Sequence, residues 1–214
     1  MAFKIGITRF LGTNCDHDVK SWLELKGHKT EYLWFDDQFD CKDFDMVVIP
    51  GGFSHGDYLR CGAIAARTKV MKSVHEFAKL EKPILGICNG FQILCESGLL
   101  PGVLTANKNL RFIDKLQKIK ITQTGNPFSN HLALGQTVTL PIAHGEGNYY
   151  AESETLKQLQ DNNQIWMTYD SDINGSLFQI AGITNAKHNI CALMPHPERA
   201  LFDWMGTGDG GLFL

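Results

Sequence analysis

The chain has 214 residues, 43% hydrophobic and 20% charged, with 20 Lys and Arg against 23 Asp and Glu for a net charge of −3. That size and balance suit a single folded domain over residues 1–214 and exclude both a basic nucleic-acid footprint and an acidic tail. The apolar runs, such as residues 46–50, are far shorter than the ~18 residues of a membrane-spanning helix. The N-terminal Met-Ala-Phe-Lys-Ile-Gly-Ile enters a strand pattern at once, unlike a signal peptide, so a cytoplasmic location is expected. In a reducing compartment the six cysteines (Cys15, Cys41, Cys61, Cys88, Cys95 and Cys191) imply no disulfide framework. No Cys-x-x-Cys pair is present, so zinc-ribbon and thioredoxin readings lose their main signal.

In chain order, residues 3–8 read as a strand. Asp16 is expected to cap a helix over 17–26, with Val19, Trp22, Leu23 and Leu25 on its apolar side and Gly27 as its stop. A second strand follows over 30–35. The run Met46-Val-Val-Ile49, closed by Pro50-Gly51-Gly52, predicts a buried strand and a turn. Residues 63–80 read as one long helix, 83–87 as a fourth strand, and 89–97 as a short helix ended by Gly98. The second half reads as strands over 116–122, 137–142, 165–169, 179–184 and 189–194, with turn sequences at Thr124-Gly-Asn-Pro127 and Asn174-Gly175 and little room for helix. The expected fold is α/β: a mostly parallel open sheet with helices on both faces, extended by antiparallel strands. In such sheets chemistry lies beyond the carboxyl ends of the strands.

Three strand ends carry candidate chemistry. In Gly86-Ile-Cys88-Asn-Gly90-Phe-Gln92 a buried strand runs into Cys88 and a helix starts immediately after it. This is the strand–nucleophile–helix turn of the hydrolase elbow, with Cys in place of Ser. A helix N-terminus favours the thiolate, the form that attacks. The second is Pro195-His196-Pro197-Glu198, where prolines fix the backbone around a histidine and Glu198 is available to orient its ring. The third, Pro50-Gly51-Gly52-Phe53, offers backbone N–H groups of Gly52 or Phe53 which, with that of Asn89, are candidates for an oxyanion hole. Other patterns are decoys. Gly206-Thr-Gly208-Asp-Gly-Gly211 matches a dinucleotide fingerprint but has no helix after it. Asn174-Gly-Ser176 is a glycosylation sequon without meaning in a cytoplasmic chain. Cys15-Asp16-His17 lacks a partner pair at zinc-ligand spacing, so no metal is expected.

Taken together, the Gly-x-Cys-x-Gly-x-Gln run and the terminal His-Pro-Glu resemble the class I glutamine amidotransferases. Within that family, Gly12-Thr-Asn-Cys-Asp16, the block Gly51-Gly-Phe-Ser-His-Gly-Asp-Tyr-Leu-Arg60 and His144-Gly-Glu-Gly-Asn148 resemble the glutaminase subunits of phosphoribosylformylglycinamidine synthases. The likeness runs over residues 4–213. It departs at Arg9-Phe10-Leu11 and at His55, where relatives usually carry other residues. The resemblance implies a Cys88–His196–Glu198 triad that hydrolyses glutamine through a thioester. It also implies that Gln92 and the Gly145 backbone hold the α-amino and carboxylate groups of glutamine. It implies no cofactor in this chain. ATP and Mg are expected in a large synthase partner that receives the ammonia, and a small subunit is expected to bridge the two. Asn14, Asp57 and Arg60 are the residues expected to face that partner. The rival readings are a stand-alone cysteine amidase or γ-glutamyl hydrolase on the same fold, and a non-enzymatic thiol-sensing module.

Overall fold

The computed structural model describes residues 2–214. In chain order the elements are β1 (Lys4–Arg9), α1 (Asp16–Leu25), β2 (Lys29–Trp34), β3 (Met46–Ile49), α2 (Lys69–Lys79), β4 (Ile84–Ile87), α3 (Asn89–Glu96), β5 (Val103–Thr105), β6 (Ile113–Ile121), β7 (Thr137–His144), β8 (Asn148–Tyr150), α4 (Ser153–Asp161), β9 (Ile165–Tyr169), β10 (Ile180–Thr184) and β11 (Ile190–Leu193). One nine-stranded sheet has the order β2-β1-β3-β4-β11-β10-β9-β6-β7, and β5 and β8 form a separate ribbon.

From β2 to β11 every pairing is parallel, and from β11 to β7 every pairing is antiparallel. The parallel half has the flavodoxin-like strand order. Its central strands β3, β4 and β11 are buried at every position, as expected when both faces are covered. Val19, Trp22 and Leu23 of α1 and Val70, Met71, Val74 and Phe77 of α2 belong to the same core as Ile5, Ile7, Val48 and Leu85. Burial of each such side chain stabilises by roughly 1.5–3 kcal/mol.

Besides the β5–β8 ribbon, which the sequence reading did not include, the structure departs from that reading in four places. Leu25 lies outside the buried stripe of α1 and is 64% exposed. Asp16 is the first residue of α1 rather than its cap, and pairs with Arg9 at 2.7 Å. The long helix expected over 63–80 is broken: a 3₁₀ turn at Ala65–Arg67 ends at Thr68, whose extended backbone (φ −73°, ψ 167°) separates it from α2. The Thr68 hydroxyl donates to the Ala65 carbonyl at 2.7 Å, a local bond that competes with the helical ladder. The Val70 N–H, orphaned by the break, donates to the Phe35 carbonyl. Finally, α4 occupies a segment read as non-helical. Leu159 is its single fully buried residue and most of its other positions are polar.

A candidate active site at the carboxyl ends of the strands

Chain exit from β4 sets the nucleophile. Cys88 has φ 50° and ψ −105°, a backbone conformation that costs a non-glycine residue about 1–3 kcal/mol. Its N–H donates to the Leu193 carbonyl of β11 at 2.8 Å, and its carbonyl accepts from Phe91 N–H in the first turn of α3. The turn closes only because α3 approaches β3: a Cβ on Gly90 would lie 2.0 Å from the Ile49 carbonyl oxygen. Cys88 is buried, and its Sγ faces the Ala143 carbonyl of β7 at 3.8 Å.

β11 sits beside β4 in the sheet, so its exit delivers His196 next to Cys88. The His196 N–H is held by the Pro141 carbonyl of β7 at 2.8 Å. Its Nδ1 pairs with Glu198 Oε1 at 2.6 Å, and both side chains are buried. Nε2 makes no hydrogen bond. Burial by itself would lower the basicity of His196. The Glu198 carboxylate, followed by the Cys88 and Cys15 thiols, outweighs it and holds the imidazole pKa well above its ordinary value. A buried histidine with one nitrogen on a carboxylate and the other free toward a thiol is equipped to take and return a proton.

The expected oxyanion donors separate. The Phe53 N–H already donates to the Gly12 carbonyl at 3.0 Å, which removes it from that role. Among the described residues, the N–H groups of Gly52 and Asn89 have no acceptor and remain available. Cys88 opens into a cavity of about 180 Å³ that Gly52, Phe53, Asp57, Gln92, His144 and Gly145 help to line.

Gln92 lines this cavity, but its amide is engaged within the protein. Its Nε2 donates to the Glu146 carbonyl at 2.7 Å, and its Oε1 accepts from Asn89 Nδ2 at 2.8 Å. Asn89 Oδ1 in turn accepts from the Ser54 N–H at 3.2 Å. This chain of bonds ties the loops after β3, β4 and β7 together. The Gly145 carbonyl accepts from the Asn107 N–H. Asp57, expected on the partner surface, is instead half-buried in the cavity wall. Burial and then the neighbouring Glu146 raise its carboxyl pKa. Arg60 is exposed and pairs with Glu96 at 2.6 Å, and Asn14 is exposed at the rim of a smaller cavity.

Several supporting residues escaped the sequence reading. Asn107 is fully buried, donates to the carbonyls of Arg111 and His144, and accepts from the Gly147 N–H. His144, whose Nδ1 faces Asn107 Oδ1, has its pKa lowered to about 4, by burial and then by His196. The supposed sequon is a buried brace: Asn174 and Ser176 both donate to the Gly147 carbonyl. The C-terminal glycine pattern also packs on the site, since the Gly210 N–H donates to the Ala200 carbonyl just after the His196 loop. Asn107 has no sequence signature, while His144 and Asn174 stand in motifs already noted whose bracing roles do not show in the sequence, because each acts on loops distant in the chain.

The profile of the CobB/CobQ-like glutamine amidotransferase domain family matches residues 2–208. The chain belongs to this family. Within it, this amidotransferase is 52% identical over 211 residues to the PurQ subunit of phosphoribosylformylglycinamidine synthase from Prochlorococcus marinus strain MIT 9312, covering 97% of this chain and 94% of the relative. The PurQ subunit from Helicobacter hepaticus is 48% identical over 210 residues, covering 98% and 95%. The solved structure of PurLQS from Thermotoga maritima superposes with a TM-score of 0.91 at 39% identity, over 99% of this chain and 95% of that one. A Thermotoga maritima glutamine amidotransferase at 18% identity and TM-score 0.63 shows the same fold. The chain is therefore a class I glutamine amidotransferase of the PurQ type.

Proposed function

We propose that this chain is the glutaminase subunit of a phosphoribosylformylglycinamidine synthase, with Cys88 as its nucleophile. The observation that carries this reading is the placement of Cys88, the His196–Glu198 pair and the free Gly52 and Asn89 N–H groups at neighbouring strand ends, where Cys88 and Gly52 line both the main cavity and the smaller one that His196 lines, in a chain about 50% identical to PurQ subunits over nearly its whole length. Cys88 sulfur attacks the side-chain amide carbon of glutamine, and His196 holds the thiol proton. The Gly52 and Asn89 N–H groups stabilise the tetrahedral oxyanion, each donor being worth about 10²–10³ in rate. His196 then protonates the departing nitrogen, ammonia leaves, and a γ-glutamyl thioester remains on Cys88. Water, deprotonated by His196, cleaves the thioester to glutamate and restores the thiol. Glu198 orients the imidazole and stabilises its charged form. Gly145 and Gln92 bound the end of the cavity where the glutamine α-groups sit.

The ammonia serves a PurL-type synthase subunit, which uses ATP and Mg to convert formylglycinamide ribonucleotide to its amidine, and a small subunit bridges the two. The exposed apolar side chains of Leu11, Phe53, Tyr58, Leu59 and Phe112 support a partner surface on the loops near the site. Purified complex carrying Cys88→Ala tests the assignment. Glutamine-dependent synthesis is expected to fall by about 10³-fold or more while ammonia-dependent synthesis continues. Retention of glutamine-dependent synthesis would remove Cys88 from the mechanism.

A further inference from the structure

One wall of the cavity that holds Cys88 takes no part in the thiol chemistry. Asp57, Cys61 and Glu146 line it. Burial, then the Glu146 and Asp57 carboxylates beside it, push the Cys61 thiol up, so it stays neutral between two acids. Asp57 reaches the cavity through a bent backbone, with positive φ at His55 (53°), Asp57 (55°) and Leu59 (71°). Its Oδ1 is closed off from solvent and, among the described residues, receives no hydrogen bond. No Lys or Arg among those residues lines the cavity, and Arg60 pairs with Glu96 at 2.6 Å instead. His144 adds a third acceptor. Asn107 Oδ1 accepts from the Gly147 N–H while Asn107 Nδ2 donates to the Arg111 and His144 carbonyls, which fixes the orientation of that amide. His144 Nδ1, 3.1 Å from Asn107 Oδ1, therefore carries the ring proton. Its Nε2 is left with a lone pair and no partner, on a side chain that is 3% exposed and lines the same cavity. Shielded acceptors without donors are costly, and these suit a ligand that brings N–H groups and positive charge.

We propose that Asp57 and Glu146 bind the α-ammonium of glutamine and make the site selective for the amide of an α-amino acid. The proposal rests on the glutaminase reading, since it names what the same cavity recognises at the end away from the scissile amide. An ammonium between the two carboxylates supplies the donor that Asp57 Oδ1 lacks and removes the repulsion between like charges. Gln92, expected from the family resemblance to hold an α-group, has both ends of its amide engaged within the protein. It braces the wall, and the charge recognition falls to the acids. Asp57, expected on the partner surface, becomes a substrate contact, and Cys61 separates the two carboxylates as a neutral spacer.

The complex with the synthase subunit, carrying Cys88→Ala, binds substrate without consuming it and so reads recognition alone. In titration calorimetry L-glutamine is expected to bind on the order of 10³-fold more tightly than glutaramate, the same amide without its α-amino group. Asp57→Asn in that background is expected to cut the preference by about 30-fold or more, and Glu146→Gln to cut it as well. With Cys88 intact, Asp57→Asn should raise the KM for glutamine by a similar factor and change kcat far less. A purely structural role would weaken both ligands alike and leave their ratio unmoved. Equal binding of the two amides, a preference unchanged in Asp57→Asn, or no saturable glutamine binding overturns the proposal. A wild-type complex that fails to hydrolyse glutamine, while the Cys88→Ala complex still prefers it over glutaramate, would instead sink the glutaminase reading and leave the ammonium site standing.

Discussion

His196 and His144 sit on one side of the same site and are pushed in opposite directions. His196 is held charged by Glu198 and the thiols against the cost of burial, while His144 has no carboxylate to offset burial and stays neutral to about pH 4. The consequences for stability fall in different pH windows. His196, raised on folding, contributes stability that is fully present below the unfolded pKa of about 6.5 and is lost as pH rises through its folded value. His144, depressed on folding, does the reverse: between about pH 6.5 and 4 the unfolded chain binds the extra proton, so stability falls as the solution is acidified. From pH 7 to pH 5 this amounts to about 2 kcal/mol. Urea unfolding of wild type and His144→Gln at the two pH values measures it. The variant is expected to lose about that much less stability on acidification, and an unchanged difference would show that His144 titrates normally in the folded chain.

At the level of elements, the geometry of the site depends on how closely α3 packs against β3. A methyl group at Gly90 meets backbone, not a movable side chain, so Gly90→Ala must push α3 away from the sheet. A loss of about 3 kcal/mol or more is expected in denaturant unfolding, with glutamine hydrolysis impaired in whatever remains folded. Gly135→Ala is the control: unlike Gly90 it has a positive φ (81°), and its Cβ would meet no atom within 4 Å, so backbone strain of about 1 kcal/mol is added without any close contact. Equal losses in the two variants would show that close approach is not what Gly90 serves. The same elements explain what the sequence revealed. Strands β3, β4 and β11 are short apolar runs ending in Gly-Gly, Cys and Pro-His-Pro, so both their positions and their chemistry were legible. The break at Thr68 depends on one hydroxyl bond, and α4 on a single buried leucine. The commitment of the Phe53 N–H to Gly12, which removes it as an oxyanion donor, arises from the packing of two loops about 40 residues apart in the chain. Asn107 and Asn174 likewise gain their roles only through tertiary contact.

For the whole molecule, the question is what a chain with one compact catalytic site needs from a partner. The loops after β1 and β3 leave Leu11, Phe53, Tyr58 and Leu59 exposed near the cavity, an arrangement suited to burial against a second protein. Leu59, 89% exposed, should contribute nothing to the fold and much to association. Leu59→Asp is expected to leave the unfolding midpoint of the isolated chain unchanged and to weaken binding to the PurL-type subunit by about 1–3 kcal/mol, read by titration calorimetry. Unaltered affinity would place the interface elsewhere. The assembled complex also allows the central claim, covalent catalysis at Cys88, to be read directly. Complex turning over glutamine, quenched in acid and analysed by peptide mass spectrometry, should carry a γ-glutamyl thioester on the peptide containing Cys88. The absence of that adduct during turnover, or its appearance on another cysteine, would contradict the account.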